Sequence, residues 1–155
     1  MGLVSLPALK KIVSRLKRKK KKIVFTNGCF DLLHAGHITL LRKAKSLGDV
    51  LIVGLNTDRS VRNLKGKGRP VAPEKDRALV LSALRDVDYV VLFSEPTPIN
   101  LIQTLSPDLL VKGADYKNSQ IVGADWVNAN GGKVVRIPLV KSKSTSAIYR
   151  KLKRL

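Results

Sequence analysis

Short apolar runs alternate with segments of helical periodicity along almost the whole of this chain, and that alternation leaves few folds open. The sequence predicts strands at Lys22–Thr26, Val50–Leu55, Tyr89–Phe93, Asp108–Lys112 and Lys133–Ile137, each a β-branched or aliphatic run. Between them it predicts helices. Leu6–Lys19 carries Leu6, Leu9, Ile12, Val13 and Leu16 on one face and basic residues on the other. Gly36–Leu47 stops at Gly48, Thr97–Leu105 opens on Thr97-Pro98, and Asn118–Asn130 ends at Gly131-Gly132. Pro73–Leu84 and Ser144–Leu152 complete the set, while the polar, glycine-bearing stretch Asn56–Ala72 reads as a loop. Strands that alternate with helices form βαβ units with right-handed crossovers. The expected fold is therefore α/β: a Rossmann-like, doubly wound, parallel five-stranded sheet in a single domain over 1–155. A basic N-terminal helix over 1–20 precedes an α/β core over 22–155, with the weakest joint at Lys19–Lys22.

In such sheets ligands sit beyond the carboxyl ends of the strands, where the strand order reverses. That rule nominates Thr26 to Asp31, then Asn56, Thr57 and Asp58, then Gly113, Asp115 and Tyr116, then Lys141 to Ser146. One of these places also holds both histidines of the chain, in His34-Ala35-Gly36-His37. Backbone N–H groups at a helix start are unpaired and partly positive, so they bind phosphate. Gly36 lets a ligand approach the backbone, and histidines three apart can face one ligand from a single helical turn. The competing reading of either histidine is a helix cap or a surface residue.

Composition narrows the function classes. The chain has 155 residues, 44% of them hydrophobic, enough for a real core. No apolar run approaches the roughly 18 to 20 residues of a membrane span, the first residues lack a cleavable leader pattern, and Leu6 spoils a myristoylation start. A cytoplasmic protein without membrane association is expected. The single Cys29 cannot form an internal disulfide, and no cysteine cluster offers a zinc site. The net charge of +19, concentrated in Lys17–Lys22 and in Lys151, Lys153 and Arg154, favours anions. No aromatic residue interleaves with the basic run, so it reads as a solvated surface and a nucleic-acid partner is not expected.

The segment Thr26–His37, TNGCFDLLHAGH, resembles the HxGH signature of the nucleotidyltransferase superfamily, which class I aminoacyl-tRNA synthetases share. Over nearly its whole length the chain is similar to the adenylyltransferase domain of the ADP-heptose synthase family. The similarity runs through KIVFTNGCFDLLHAGHITLL, LNTDRSVRNLKGKGRPV, ALRDVDYVV, PDLLVKGADY, NGGKV and STSAI. The related glycerol-3-phosphate cytidylyltransferases typically have tyrosine and threonine where this chain has Asn27 and Cys29, and lack the VKGADY form.

The resemblance implies roles. His34 and His37 would contact the ATP phosphates, with His37 on the reacting α-phosphate and Lys65 as a further catalytic cation. Lys67 would neutralise the triphosphate, and Arg77 would face the nucleotide rather than pair at the surface with Glu74 or Asp76. Thr26, Asn27, Gly28, Phe30 and Gly36 would complete the nucleotide site. Asp31 would hold Mg²⁺ or order its loop; helix capping is its other reading. Ser144, Thr145 and Ser146 resemble the second superfamily signature, the counterpart of the KMSKS loop. Here Lys143 and Ser146 depart from the family's usual Cys-Ser-Thr-Thr. Asn56, Asp58, Lys112, Gly113, Asp115 and Tyr116 are the candidates for the sugar phosphate.

The implied reaction is transfer of AMP from ATP to D-glycero-β-D-manno-heptose 1-phosphate, with Mg²⁺ as cofactor. The rivals are another acceptor such as glycerol 3-phosphate, CTP in place of ATP, or a basic nucleic-acid-binding module. With about twenty residues ahead of the first strand, a sugar kinase is expected as a separate protein; a homo-oligomer is left open.

Overall fold

The computed structural model describes residues 2–114, 120–138, 145, 148 and 149. Its order is β1 (Gly2–Leu3), α1 (Leu6–Arg18), β2 (Ile23–Gly28), α2 (Ala35–Lys45), β3 (Val50–Asn56), α3 (Asp58–Lys65), α4 (Glu74–Ser82), β4 (Tyr89–Phe93), α5 (Ile99–Leu105), β5 (Leu109–Gly113), α6 (Ala124–Ala129) and β6 (Lys133–Ile137). Every described pairing is parallel, in the order β1-β4-β3-β2-β5-β6. The doubly wound class holds, with six strands instead of five. The addition is a two-residue edge strand, with Gly2 against Tyr89 and Leu3 against Val90, too short to leave a periodic signal.

The pleat divides the apolar residues between two layers. Ile23, Phe25 and Ile52 face a cluster with Leu9 and Val13 of α1, Leu101, Ile102 and Leu105 of α5, and Val127 of α6. Val24, Leu51, Val53 and Leu55 face the other side, with Leu41 and Ala44 of α2 and Ala78 and Leu81 of α4. The N-terminal helix is thus no appendage: Leu9 is fully buried, and β1 ahead of it belongs to the sheet. Ser5 caps α1 by accepting the Ala8 N–H at 3.4 Å, and Pro7 sits in its first turn.

Several elements differ from the expectation for local reasons. Helix α5 starts at Ile99 with Pro98 in the cap position and no side-chain cap, so Thr97 does not cap it. The stretch read as loop contains α3, which Thr57 caps by accepting the Ser60 N–H at 3.3 Å. Its buried face is only Ser60 and Val61, so its apolar period is nearly silent. Helix α2 starts one residue early, at Ala35 with His34 as its cap, and closes at Ser46. Gly48 is therefore not its cap; a Cβ there would meet Val24 Cγ2 at 2.7 Å and the Lys22 carbonyl at 2.9 Å. Helix α6 begins only after Gly123, whose φ of +85° breaks the longer helix expected from Asn118. The Ser144–Leu152 helix lies mostly outside the described residues.

Aspartates pin the amino ends of the strands. Asp49 accepts the Lys22 N–H at 2.8 Å, Asp88 the Leu51 N–H at 2.7 Å and Asp108 the Ile23 N–H at 2.7 Å. At the core, Gly54 leaves room for a ring: a Cβ would fall 2.9 Å from Phe25 Cζ and 3.1 Å from Leu101 Cδ2. Gly54→Ala is expected to cost about 1–3 kcal/mol through overpacking, read as a lower urea midpoint with an unchanged m-value.

Candidate active site

The order places β2 between β3 and β5, so the chain reverses direction across the sheet beside the carboxyl end of β2. Here β2 ends in Asn27 and Gly28, one turn before the histidines. Phe30 adopts a left-handed φ of 43° and buries its ring, with its centroid 5.2 Å from that of His37. His34 caps α2: its Nδ1 accepts the Gly36 N–H at 3.1 Å, which fixes the neutral tautomer with the proton on Nε2. The His34 and His37 rings stack, centroids 3.9 Å apart and 28° between planes. His37 Nδ1 is buried and has no hydrogen-bond partner among the described residues.

Burial, and then the neighbouring His34, push the His37 pKa down from the usual 6.5 to about 4. His37 is therefore neutral at pH 7. The sign for stability follows. The unfolded chain takes up a proton on this residue below about 6.5 while the folded one does so only below about 4. Stability from this residue is full above that window and falls as pH drops through it. A His37→Gln variant is expected to lose less stability than wild type between pH 6.5 and 4 in paired urea titrations.

Two buried side chains hold the surrounding loops. Asp31 is 5% exposed, and its carboxylate accepts from Arg69 Nε at 2.6 Å, the Val71 N–H at 2.7 Å and the Ala72 N–H at 3.0 Å. Both oxygens are engaged, so of the readings offered the geometry fits loop ordering. Arg77 is 2% exposed and turns inward. It donates from Nε to Ala72 O (2.9 Å), from Nη1 to Cys29 O (2.6 Å) and Asn56 O (2.8 Å), and from Nη2 to Asp58 Oδ1 (2.7 Å). Neither the surface pair with Glu74 or Asp76 nor an open face toward a nucleotide is formed. Arg77 instead ties the ends of β2 and β3 to the 69–72 loop.

The other candidates distribute around this frame. Asn56 is buried, with Nδ2 donating to Ser60 Oγ at 2.9 Å. Asp58 opens α3 and is held by Arg77 and, through its N–H, by Glu74 Oε2 at 2.7 Å. Lys112 crosses the switch point from β5 and donates to Asn27 Oδ1 at 2.6 Å and Asn27 O at 3.2 Å, so it is not a solvent-facing strand end. Gly113 ends β5 opposite Ile137. Thr26 is fully buried, its Oγ1 unpartnered among the described residues. Lys65 ends α3 and Lys67 follows it, both exposed. Cys29 is half-buried; burial raises its thiol pKa, against the pull of Lys65 and Arg77. Thr145 donates from Oγ1 to Leu32 O at 3.3 Å, which brings the second signature onto the first. Asp115, Tyr116, Lys143, Ser144 and Ser146 lie outside the described residues.

Sequence reasoning missed Arg69 and Tyr149, and gave Glu74 only as a surface partner of Arg77, whereas it accepts the Asp58 N–H. Arg69 and Glu74 stand within four residues of Arg77 or its loop partners but carry no periodic signal. Their signal is the company of glycines and prolines in Gly66–Pro73, a loop with φ of 86° at Gly66 and 81° at Gly68. Among the described residues, no group of three or more His, Cys, Asp or Glu could hold a metal ion, and no helix is long and apolar enough to cross a membrane. The basic run lies at the opposite end of the sheet, where Lys17, Lys20, Lys21, Lys22 and Lys133 line a groove of about 680 Å³.

The arrangement is a helix start with two stacked imidazoles beyond a strand's carboxyl end, with exposed Lys65 and Lys67 at the end of α3 and just after it. The chain belongs to the cytidylyltransferase-like family, whose model matches residues 25–148, and it is a nucleotidyltransferase. It is 53% identical over 148 residues to the bifunctional protein HldE of Citrifermentans bemidjiense, covering 96% of this chain and 30% of that one. Against bifunctional protein HldE of Helicobacter pylori strain J99 the identity is 53% over 146 residues, 94% of this chain and 31% of that one. The chain thus spans about 30% of the length of the curated relatives it matches. A solved lipopolysaccharide core biosynthesis protein from Thermoplasma volcanium superposes with a TM-score of 0.65 at 32% identity, covering 79% of this chain and 99% of that one. A pantoate-β-alanine ligase from Francisella tularensis shares the fold, with a TM-score of 0.68 at 20% identity over 99% of this chain and 77% of that one.

Proposed function

We propose that the chain transfers AMP from ATP to D-glycero-β-D-manno-heptose 1-phosphate, yielding ADP-heptose and pyrophosphate. The observation that carries nucleotidyl transfer is the stacked His34–His37 pair at the start of α2, beside the sheet's reversal. The acceptor rests on the likeness to HldE proteins and to the lipopolysaccharide core protein.

A phosphate oxygen of the sugar attacks the α-phosphorus of ATP in line. A new P–O bond forms, the bond to the bridging α,β-oxygen breaks, and pyrophosphate leaves with that electron pair. The nucleophile is already an anion, so no general base is required, and catalysis rests on positioning and on stabilising charge on oxygen. His34 Nε2–H and the His37 imidazole donate to the phosphates, and the N–H groups at the start of α2 add their dipole. Lys65 and Lys67 offset the outer phosphates. Mg²⁺ would offset the charge of the triphosphate, while Asp31, engaged by Arg69 and the Val71 and Ala72 N–H groups, would keep the loop beside it in place. Lys112, which donates to Asn27 Oδ1, would supply the cation for the acceptor's phosphate.

A second reading, CTP or a smaller phosphorylated alcohol, is favoured by the family's cytidylyltransferase-like description. Pyrophosphate release across ATP and CTP, each with heptose 1-phosphate, glycerol 3-phosphate and no acceptor, separates the two. ATP with the heptose is expected to lead by at least about tenfold; equal rates with CTP and glycerol 3-phosphate would favour the second. The sugar kinase expected upstream would supply the 1-phosphate.

A further inference from the structure

Arg69 stands at the meeting of three segments. Its Nε is ion-paired with Asp31 at 2.6 Å, with 13% of the arginine side chain and 1% of the aspartate side chain exposed. Its guanidinium carbon lies 5.3 Å from the centroid of the Tyr149 ring. The neighbouring Gly68 presents its backbone to the same ring, and a Cβ there would fall 3.6 Å from the Tyr149 hydroxyl. Four residues earlier on the closing segment, Thr145 donates to Leu32 O, the carbonyl next to Asp31. One face of the loop 66–72 is therefore fastened to the HAGH-bearing loop, and its arginine is capped by an aromatic ring from the segment that carries Thr145.

We propose that Arg69 and Tyr149 form a clasp that keeps Thr145 against the nucleotide loop at Leu32, so that its hydroxyl and that loop act on the transferred phosphate together. Arginine suits the task because its flat, permanently charged fork can pair edge-on with Asp31 while an aromatic face stacks on it; lysine supplies only a point charge. The clasp rests on the nucleotidyl-transfer reading above and assigns two residues to its geometry. Arg69 and Tyr149 are positioning residues, and their loss should appear in turnover more than in ATP affinity.

The test is a double-mutant cycle with Arg69→Lys, Tyr149→Ala and the pair, plus Tyr149→Phe. ATP-dependent pyrophosphate release and thermal midpoints are measured on the full chain. Misplacing a reacting group by about 1 Å can cost about 10²-fold, so each disruptive single variant is expected to lower kcat by about 10- to 100-fold with KM for ATP within about threefold. The pair should be no slower than the worse single variant, because one clasp is broken either way. Tyr149→Phe, which keeps the ring, should stay within about twofold of wild type. A Tyr149→Ala protein within twofold of wild-type kcat would overturn the clasp, as would multiplicative losses in the pair. Arg69→Lys that raises KM tenfold with kcat unchanged would also overturn it and make Arg69 a direct ligand. If wild type releases no pyrophosphate with any acceptor, the function fails instead. The clasp is then judged by the thermal midpoints alone: non-additive shifts sustain it and additive shifts overturn it.

Discussion

His37→Ala is expected to lower kcat by about 10² to 10³ while leaving the fold intact, the loss typical of removing one preorganised donor from a site of charge development. The fold should survive because His37 sits in the first turn of α2, whose cap is His34 and whose buried anchors are Leu41 and Ala44. The imidazole Nδ1 is buried and unpartnered among the described residues, so its deletion removes a polar atom that is costly without ligand. Thermal stability at pH 7 is thus expected to change little or rise, while turnover collapses. Single-turnover kinetics with ATP and the sugar phosphate, alongside a melt, check both halves. A similar fall from His34→Ala would be accompanied by lost stability, because His34 also caps the helix, worth typically about 1 kcal/mol.

Arg77→Met is expected to give the largest loss of stability, about 3–5 kcal/mol, the cost of breaking a buried ion pair and orphaning its acceptors. Four bonds go at once, to Ala72, Cys29 and Asn56 carbonyls and to the Asp58 carboxylate. Against a typical total of about 5–15 kcal/mol, that removes a large part of the folding free energy. Arg77→Lys should recover only part of it, since one ammonium cannot span acceptors at residues 29, 56, 58 and 72. Urea denaturation of the three proteins measures the order, wild type above Lys above Met. Equal midpoints for wild type and Met would show that the buried fork contributes nothing net.

The sheet was readable because a parallel strand buried on both faces is a run of apolar residues, as in β3 and the first residues of β2, while the edge strand β6 showed only through Val134, Val135 and Ile137. What escaped were elements whose signal is not periodic. The β1 strand is two residues long, and α3 buries one valine and a serine. The site divides in the same way. His34 and His37 stood out by their spacing and by where the fold rule puts ligands. Arg77 stood out too, but its direction did not. Whether an arginine at a helix start reaches outward or inward depends on which carbonyls converge on it, here from residues 29, 56 and 72, and that is a property of the tertiary structure. Asp31 is the same case: one carboxylate could cap, bind a cation or clamp a loop, and the choice was made by Arg69 and two N–H groups some forty residues away.

The central claim is adenylyl transfer to a heptose 1-phosphate, and product formation tests it most directly. The chain is incubated with ATP, Mg²⁺ and D-glycero-β-D-manno-heptose 1-phosphate, and the sugar nucleotide is followed by mass and by phosphorus resonance. Formation of ADP-heptose with one pyrophosphate per product, abolished in His37→Ala, is the expected result. Absence of ADP-heptose from a folded wild-type protein that forms a nucleotide adduct with glycerol 3-phosphate or from CTP would contradict it.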